Sequence, residues 1–178
     1  MRIEFSLLTL LVLIATSASA AGKYVSDEYG FAASFPAEVV HSQISSDVSL
    51  FDASAPGKAW EGQVKVTRNV TMPQQVTKDF MDSKLAELIK SGGMAQTGDS
   101  SYTTFQGHPA LLATAIFIIN NRDTQDVAYA VVVDIRLIFV RSQNLIKGQN
   151  RIYQVNGIAI QGKDRSGIQT FLNSFELK

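Results

Sequence analysis

Two long apolar runs dominate this sequence and restrict what it can become. Ala110 to Ile119 is nearly continuous. Val127 to Val140 alternates, with Val127, Tyr129, Val131, Val133, Ile135, Leu137 and Phe139 on one side and Ala128, Ala130, Val132, Asp134 and Arg136 on the other. Neither suits a membrane helix, because the first is too short for a hydrocarbon layer of roughly 30 Å and the second contains Asp134 and Arg136. They predict two central β-strands. Strands apolar on both faces need cover on both faces, and helices are the available material, so a layered sandwich is expected.

Two helices are legible. From Val76 to Ser91, Val76, Phe80, Met81, Leu85, Leu88 and Ile89 recur at three and four, which builds one apolar stripe. Thr77 is positioned to cap this helix, Val76 and Met81 to staple its start, and Gly92-Gly93 to end it. Asp79 and Lys90 complement its dipole. The last helix, Asp164 to Asn173 with Asp164 as its cap, spaces Ile168, Phe171, Leu172 and Phe175 at i, i+3, i+4 and i+7.

Shorter strands are expected at Tyr24 to Ser26 and Phe31 to Phe35, around the turn Asp27-Glu28-Tyr29-Gly30, and at Val48 to Ala53. Further strands are expected at Gly62 to Val70, Ser101 to Phe105 and Arg151 to Ile160. Gln106-Gly107-His108-Pro109 forms a turn, and the polar stretch around His41 a loop. No repeat or linker divides residues 21–178, so they are expected to form one domain.

Ahead of that domain, residues 1–20 combine Arg2, a short apolar stretch from Phe5 to Ala15 and an Ala18-Ser19-Ala20 exit, the pattern of a cleavable secretory signal. No transmembrane segment is expected after cleavage. The chain has no cysteine, which excludes a lipidated cysteine, a disulfide framework, thiol catalysis and cysteine-bound metals. A periplasmic or secreted protein follows, with the bacterial periplasm favoured. Sixteen Lys and Arg balance sixteen Asp and Glu, so nothing in the charge favours nucleic acid, which needs several phosphates neutralised.

The order of signals resembles the PsbP-like domain family, which includes the photosystem II extrinsic protein PsbP and bacterial envelope proteins of the DcrB type. The resemblance rests on Tyr29-Gly30-Phe31, Phe35-Pro36, Phe105-Gln106-Gly107-His108-Pro109-Ala110, Asn150-Arg151-Ile152-Tyr153-Gln154-Val155 and Phe171-Leu172-Asn173-Ser174-Phe175. It implies an α/β (α+β) fold, an antiparallel twisted sheet flanked by helices in an α/β/α sandwich, used as a non-catalytic binding or accessory module. The matching positions are packing and turn residues, so they carry over no functional role.

No catalytic, cofactor-binding or metal-binding residue is assigned. His41 and His108 are the two histidines, and no Gly-x-Ser-x-Gly elbow or metal-ligand spacing accompanies them. Asn120 to Asp126 approaches a calcium loop, but Arg122 stands in its middle. Charge is the one hint of a partner. Arg136, Arg141, Lys147, Arg151, Lys163 and Arg165 face a single acid between Ile135 and Arg165. If Arg136, Arg141, Lys147 and Arg151 gather at one edge, they would meet an acidic envelope protein or an anionic surface. The competing expectation pairs Arg136 with Asp134. Two other functions make structural predictions: an envelope hydrolase needs His108 in a deep pocket beside a serine or carboxylate, and a carrier of a small apolar ligand needs a dry cavity of several hundred Å³.

Overall fold

The protein is described from a computed structural model covering residues 22–120, 127–142 and 149–178. The secretory signal at 1–20, most of the calcium-like run and Lys147 lie outside the described residues. Eleven strands and two α-helices follow in the order β1 (Lys23–Ser26), β2 (Phe31–Ser34), β3 (Val40–Ser45), β4 (Val48–Ser54), β5 (Trp60–Thr67), α1 (Lys78–Ser91), β6 (Ala95–Gln96), β7 (Ser101–Phe105), β8 (His108–Asn120), β9 (Val127–Val140), β10 (Arg151–Ile160), α2 (Ser166–Ser174) and β11 (Glu176–Leu177).

Eight strands form one sheet in the order β3-β4-β5-β10-β9-β8-β6, with β7 also on β8. The two apolar runs are β8 and β9, paired from Ala110 opposite Ile138 to Asn120 opposite Val127. β1, β2 and β11 make a second, three-stranded sheet. Every pairing in both sheets is antiparallel.

The α/β/α sandwich expected from the sequence does not form. The fold is β-rich, with two helices of 14 and 9 residues beside eleven strands. Both faces of the central part of the large sheet are covered, as two-sided apolar strands require, but the second cover is mainly more sheet, and Phe117, Ile118 and Tyr129 at the far end of β8 and β9 stay exposed. α1 lies over one face, where Met81 and Leu85 meet Leu111, Ala113, Ile135, Leu137 and Phe139. The opposite face carries the small sheet together with α2, joining Phe31, Phe35, Phe51, Val64, Tyr153, Val155, Ile168, Phe171 and Phe175. Phe31, Ala32 and Ala33 of β2 are all fully buried, so this short strand is itself a covering layer. Aromatic edges lock the contact: Phe31 meets Phe51 at 5.0 Å, and Phe35 meets Phe171 at 5.1 Å between ring centroids.

α1 starts where expected, with the Thr77 hydroxyl accepting from the Phe80 amide at 3.3 Å. α2 begins one residue beyond the expected cap zone. Asp164 still serves it, its carboxylate accepting from the Ser166 amide at 2.9 Å. A glycine pair seats α2 on the sheet. Gly62 and Gly157 stand opposite each other on β5 and β10, with Phe171 against the first and Ile168 against the second. A Cβ on Gly157 would come within 2.1 Å of Ile168. The stretch around His41 is an edge strand, not a loop. Among the described residues no helix is long and apolar enough to cross a membrane.

Candidate anion-binding recess

Arg136 is the charged residue that the fold treats most specifically. It stands on β9 opposite Leu112 of β8 and Val155 of β10, on the face covered by α2. Its Nη1 donates to the Leu172 carbonyl at 2.6 Å, and its Nη2 reaches Asn173 Oδ1 at 3.5 Å. The guanidinium also lies 5.2 Å from the centre of the Phe105 ring. Leu172 and Asn173 belong to the last turn of α2, where carbonyls lack helical partners and a cation is favoured.

Asp134 does not take Arg136, although the two share a strand face. Its carboxylate accepts from Arg165, just ahead of α2, and from the Thr114 hydroxyl at 3.1 Å. Two alternate residues of β9 therefore hold α2 at both ends. The consequence for Arg136 is electrostatic: it is half-buried, and among the described residues no carboxylate forms an ion pair with it. Burial pushes its pKa below the usual arginine value, though a guanidinium stays charged.

A half-open recess of about 260 Å³ lies against this cation, lined by Thr103, Thr104, Phe105, Leu112, Arg136 and Asn173. The β7–β8 hairpin supplies its outer wall. Gln106 and Gly107 make the two-residue turn with φ of 48° and 82°, the left-handed pair that fits the twist of a hairpin. Lined by hydroxyls, an amide, one ring and a guanidinium, the recess suits a small anionic group with an apolar flank.

The other expected partner residues are dispersed. Arg151 pairs opposite Val140, four positions along the seam from Arg136, or about 13 Å at strand rise. Its Nη1 donates to the Tyr29 carbonyl at 2.9 Å, a carbonyl that the Tyr153 hydroxyl also reaches at 2.8 Å. Arg141 donates to the Gln74 carbonyl in the segment before α1. So Arg136, Arg141 and Arg151 do not gather at one edge; each fastens a different segment.

His108 begins β8 opposite Phe105 and is half-buried. Among the described residues its imidazole has no hydrogen bond to a serine or carboxylate, the arrangement a hydrolase there would need. His41 stacks on Phe51 at 4.3 Å with the rings 5° from parallel, and burial lowers its pKa against the opposing pull of Glu28. The region between the large sheet and α2, where a carried apolar ligand would sit, is filled by Phe35, Trp60 and Phe171. Among the described residues no three His, Cys, Asp or Glu side chains converge to hold a metal ion.

Sequence reasoning missed one polar constellation. Asp52 on β4 and Glu61 on β5 share the other sheet face, and Gln63, opposite Asp52, accepts from Asn156 Nδ2 at 2.9 Å. Burial raises the pKa of both acids, and the Asp52 charge raises that of Glu61 further. The alternation of Glu61, Gln63 and Lys65 with Gly62, Val64 and Val66 was the signal that could have found this face.

The architecture is thus that of a β-rich domain with a cation held beneath a helix end. No family model matches the sequence, and no curated protein matches it. Among solved structures, it is similar to a crystal structure from Bacteroides thetaiotaomicron VPI-5482, with a TM-score of 0.51 at 10% identity over 90% of this chain. The match covers 49% of that protein, so this chain spans about half its length. A point mutant of the protein Mog1 is also similar, with a TM-score of 0.47 at 10% identity, over 87% of this chain and 94% of that one. At such identity the Bacteroides likeness concerns fold alone.

Proposed function

We propose that this chain is an exported, non-catalytic binding module of a bacterial envelope, and that its recess receives an anionic group from an acidic partner. The leader-like start supports export, and the PsbP-like resemblance supports an accessory role. One observation carries the reading of the site: Arg136 is a half-buried cation with carbonyl, amide and ring neighbours but no carboxylate ion pair among the described residues. Carbonyl dipoles stabilise such a charge without neutralising it, so an incoming carboxylate would add what the site lacks. Preorganisation of the guanidinium by Leu172, Asn173 and Phe105 lowers the ordering cost of binding.

An NMR titration of the folded chain with a glutamate-rich peptide tests this. Shifts clustered at Thr103, Thr104, Phe105 and Asn173, weakened by added salt and by Thr103→Val, are the expected result. Absent shifts, or shifts spread evenly over the basic surface, would overturn the site.

A further inference from the structure

The recess that holds Arg136 borders a strand edge. Thr103, Thr104 and Phe105 of β7 line it, and among the described residues β7 pairs only with β8. The hairpin decides which backbone groups the outer side of β7 offers. In a two-residue hairpin the closing pair, here Phe105 and His108, exchanges both of its hydrogen bonds, and the pattern alternates from there along the ladder. Thr103 therefore also bonds to β8, while the N–H and C=O groups of Tyr102 and Thr104 point outward. Pro109 stands opposite Thr104, a position at which β8 owes β7 no N–H.

The side chains alternate too. Thr103 lies opposite Ala110, which packs on the α2 face, so its hydroxyl stands on the side of the recess. Tyr102 lies on the α1 face, where its hydroxyl donates to Asp82 and the Lys78 ammonium sits 4.6 Å from the centre of its ring. The edge is thus ordered before anything adds to it, which lowers the cost of pairing. Natural edges are commonly guarded by lysine, proline or inward charge, whereas β7 reads Ser-Tyr-Thr-Thr-Phe.

We infer that the acidic partner binds as an extended strand added antiparallel to β7, with a glutamate opposite Thr103 reaching Arg136. Strand addition rests on the recess being the carboxylate site proposed above, and adds the shape of the occupant. Opposite Thr103 the new strand makes a non-hydrogen-bonded pair, where Cα atoms approach to about 4.5 Å and the side chain shares the α2 face with the recess. The residues flanking that glutamate exchange hydrogen bonds with Tyr102 and Thr104. Arg136 selects the occupant, because a strand without an acid would satisfy the edge and leave the cation unmet, and a free carboxylate would do the reverse.

NMR titration and amide exchange of the folded chain test this, with an acetylated and amidated peptide alternating threonine and valine around one central glutamate. Binding should protect the Tyr102 and Thr104 amides. Methylating the backbone nitrogens of the residues flanking the glutamate should weaken binding about tenfold, while methylating the glutamate nitrogen, which faces away, should change it less than about twofold. Exchanging the glutamate for glutamine reads the recess separately and should also cost about tenfold. A peptide that needs its glutamate but tolerates methylation at both flanks, with Tyr102 and Thr104 unprotected, overturns strand addition and leaves the recess standing. Loss on methylating the glutamate nitrogen instead overturns the register at Thr103, and with it the proposal. Protection at Tyr102 and Thr104 that is indifferent to glutamine removes Arg136 as the anchor and overturns both readings, as does a complete lack of binding.

Discussion

The Arg136 guanidinium donates to the Leu172 carbonyl at 2.6 Å, so a residue in the middle of β9 closes the C-terminal end of α2. Two positions earlier on the same strand, Asp134 holds Arg165 just ahead of the helix. β9 thus presents an acid toward the positive end of α2 and a base toward its negative end, complementary to the helix dipole at both places.

Replacing Arg136 with Met should lower stability by about 2 kcal/mol, the usual worth of a hydrogen bond from a charged donor. Arg136→Lys should recover part of that loss, because an ammonium can reach one carbonyl but cannot fork to Asn173. Urea midpoints of the two variants against the wild type measure it; equal midpoints would show that the clamp carries no net stability.

Gly157→Ala should cost about 1–3 kcal/mol, because the new methyl would meet Ile168 Cγ2 at 2.1 Å. Ile168→Ala alone should also destabilise by emptying a fully buried site. The double variant should be more stable than the sum of the two losses predicts, since the alanine at 168 vacates the volume that the new methyl needs. A simple sum would mean that the helix moves away from the sheet instead.

The cap of α1 gives a smaller effect. Thr77→Ala should remove about 1 kcal/mol, and Thr77→Ser should retain most of it, because only the hydroxyl contact to the Phe80 amide is at stake. Thermal melts of the two variants decide between this and a purely steric role for threonine.

Burial raises the pKa of Asp52 and Glu61 in the folded chain. The folded state therefore holds protons that the unfolded state has released, so these two groups stabilise the fold below their ordinary titration range. That contribution fades as pH rises through the folded pKa values. Glu61→Gln should consequently be more stable than the wild type at neutral pH, with the advantage shrinking as pH falls through the raised folded value and levelling off below the ordinary glutamate value of about 4.5. Denaturant midpoints from pH 4 to 8 follow the difference, and an advantage that grows on acidification would reverse the assignment.

The parts of the fold legible from sequence are those in which one residue pattern has one structural outcome. β8 and β9 follow from their apolar runs, and α1 from a stripe flanked by Thr77 and Gly92-Gly93. β3 was missed because an edge strand exposed on its outer side does not need alternating apolar residues, and only Val40, set four residues from Ile44, hints at it. The layered sandwich went wrong for a related reason. Local pattern marks Phe31 to Phe35 as a strand, yet says nothing about whether that strand joins the main sheet or lies across it.

The candidate site was half legible. Arg136 stood out as a base in an apolar strand, but its expected partner was Asp134, the acid nearest on the same face. α2 decided the outcome, bringing Arg165 to Asp134 and the Leu172 carbonyl to Arg136 from more than thirty positions away in the chain. Nothing in the local spacing of β9 encodes which element will pack above it. Arg151, expected near Arg136, is separated from it because the strands pair in a register that sets Val155 beside Arg136.

The three-stranded sheet brings the beginning and the end of the described domain together, since β2 pairs with both β1 and β11 and Lys23 meets Glu176 at 2.7 Å. A domain whose described ends are neighbours can be rewired. Splicing residue 178 to residue 22 through a short flexible tether, and reopening the backbone at the β3–β4 bend, would preserve nearly every contact while turning the exposed edge into a free terminus.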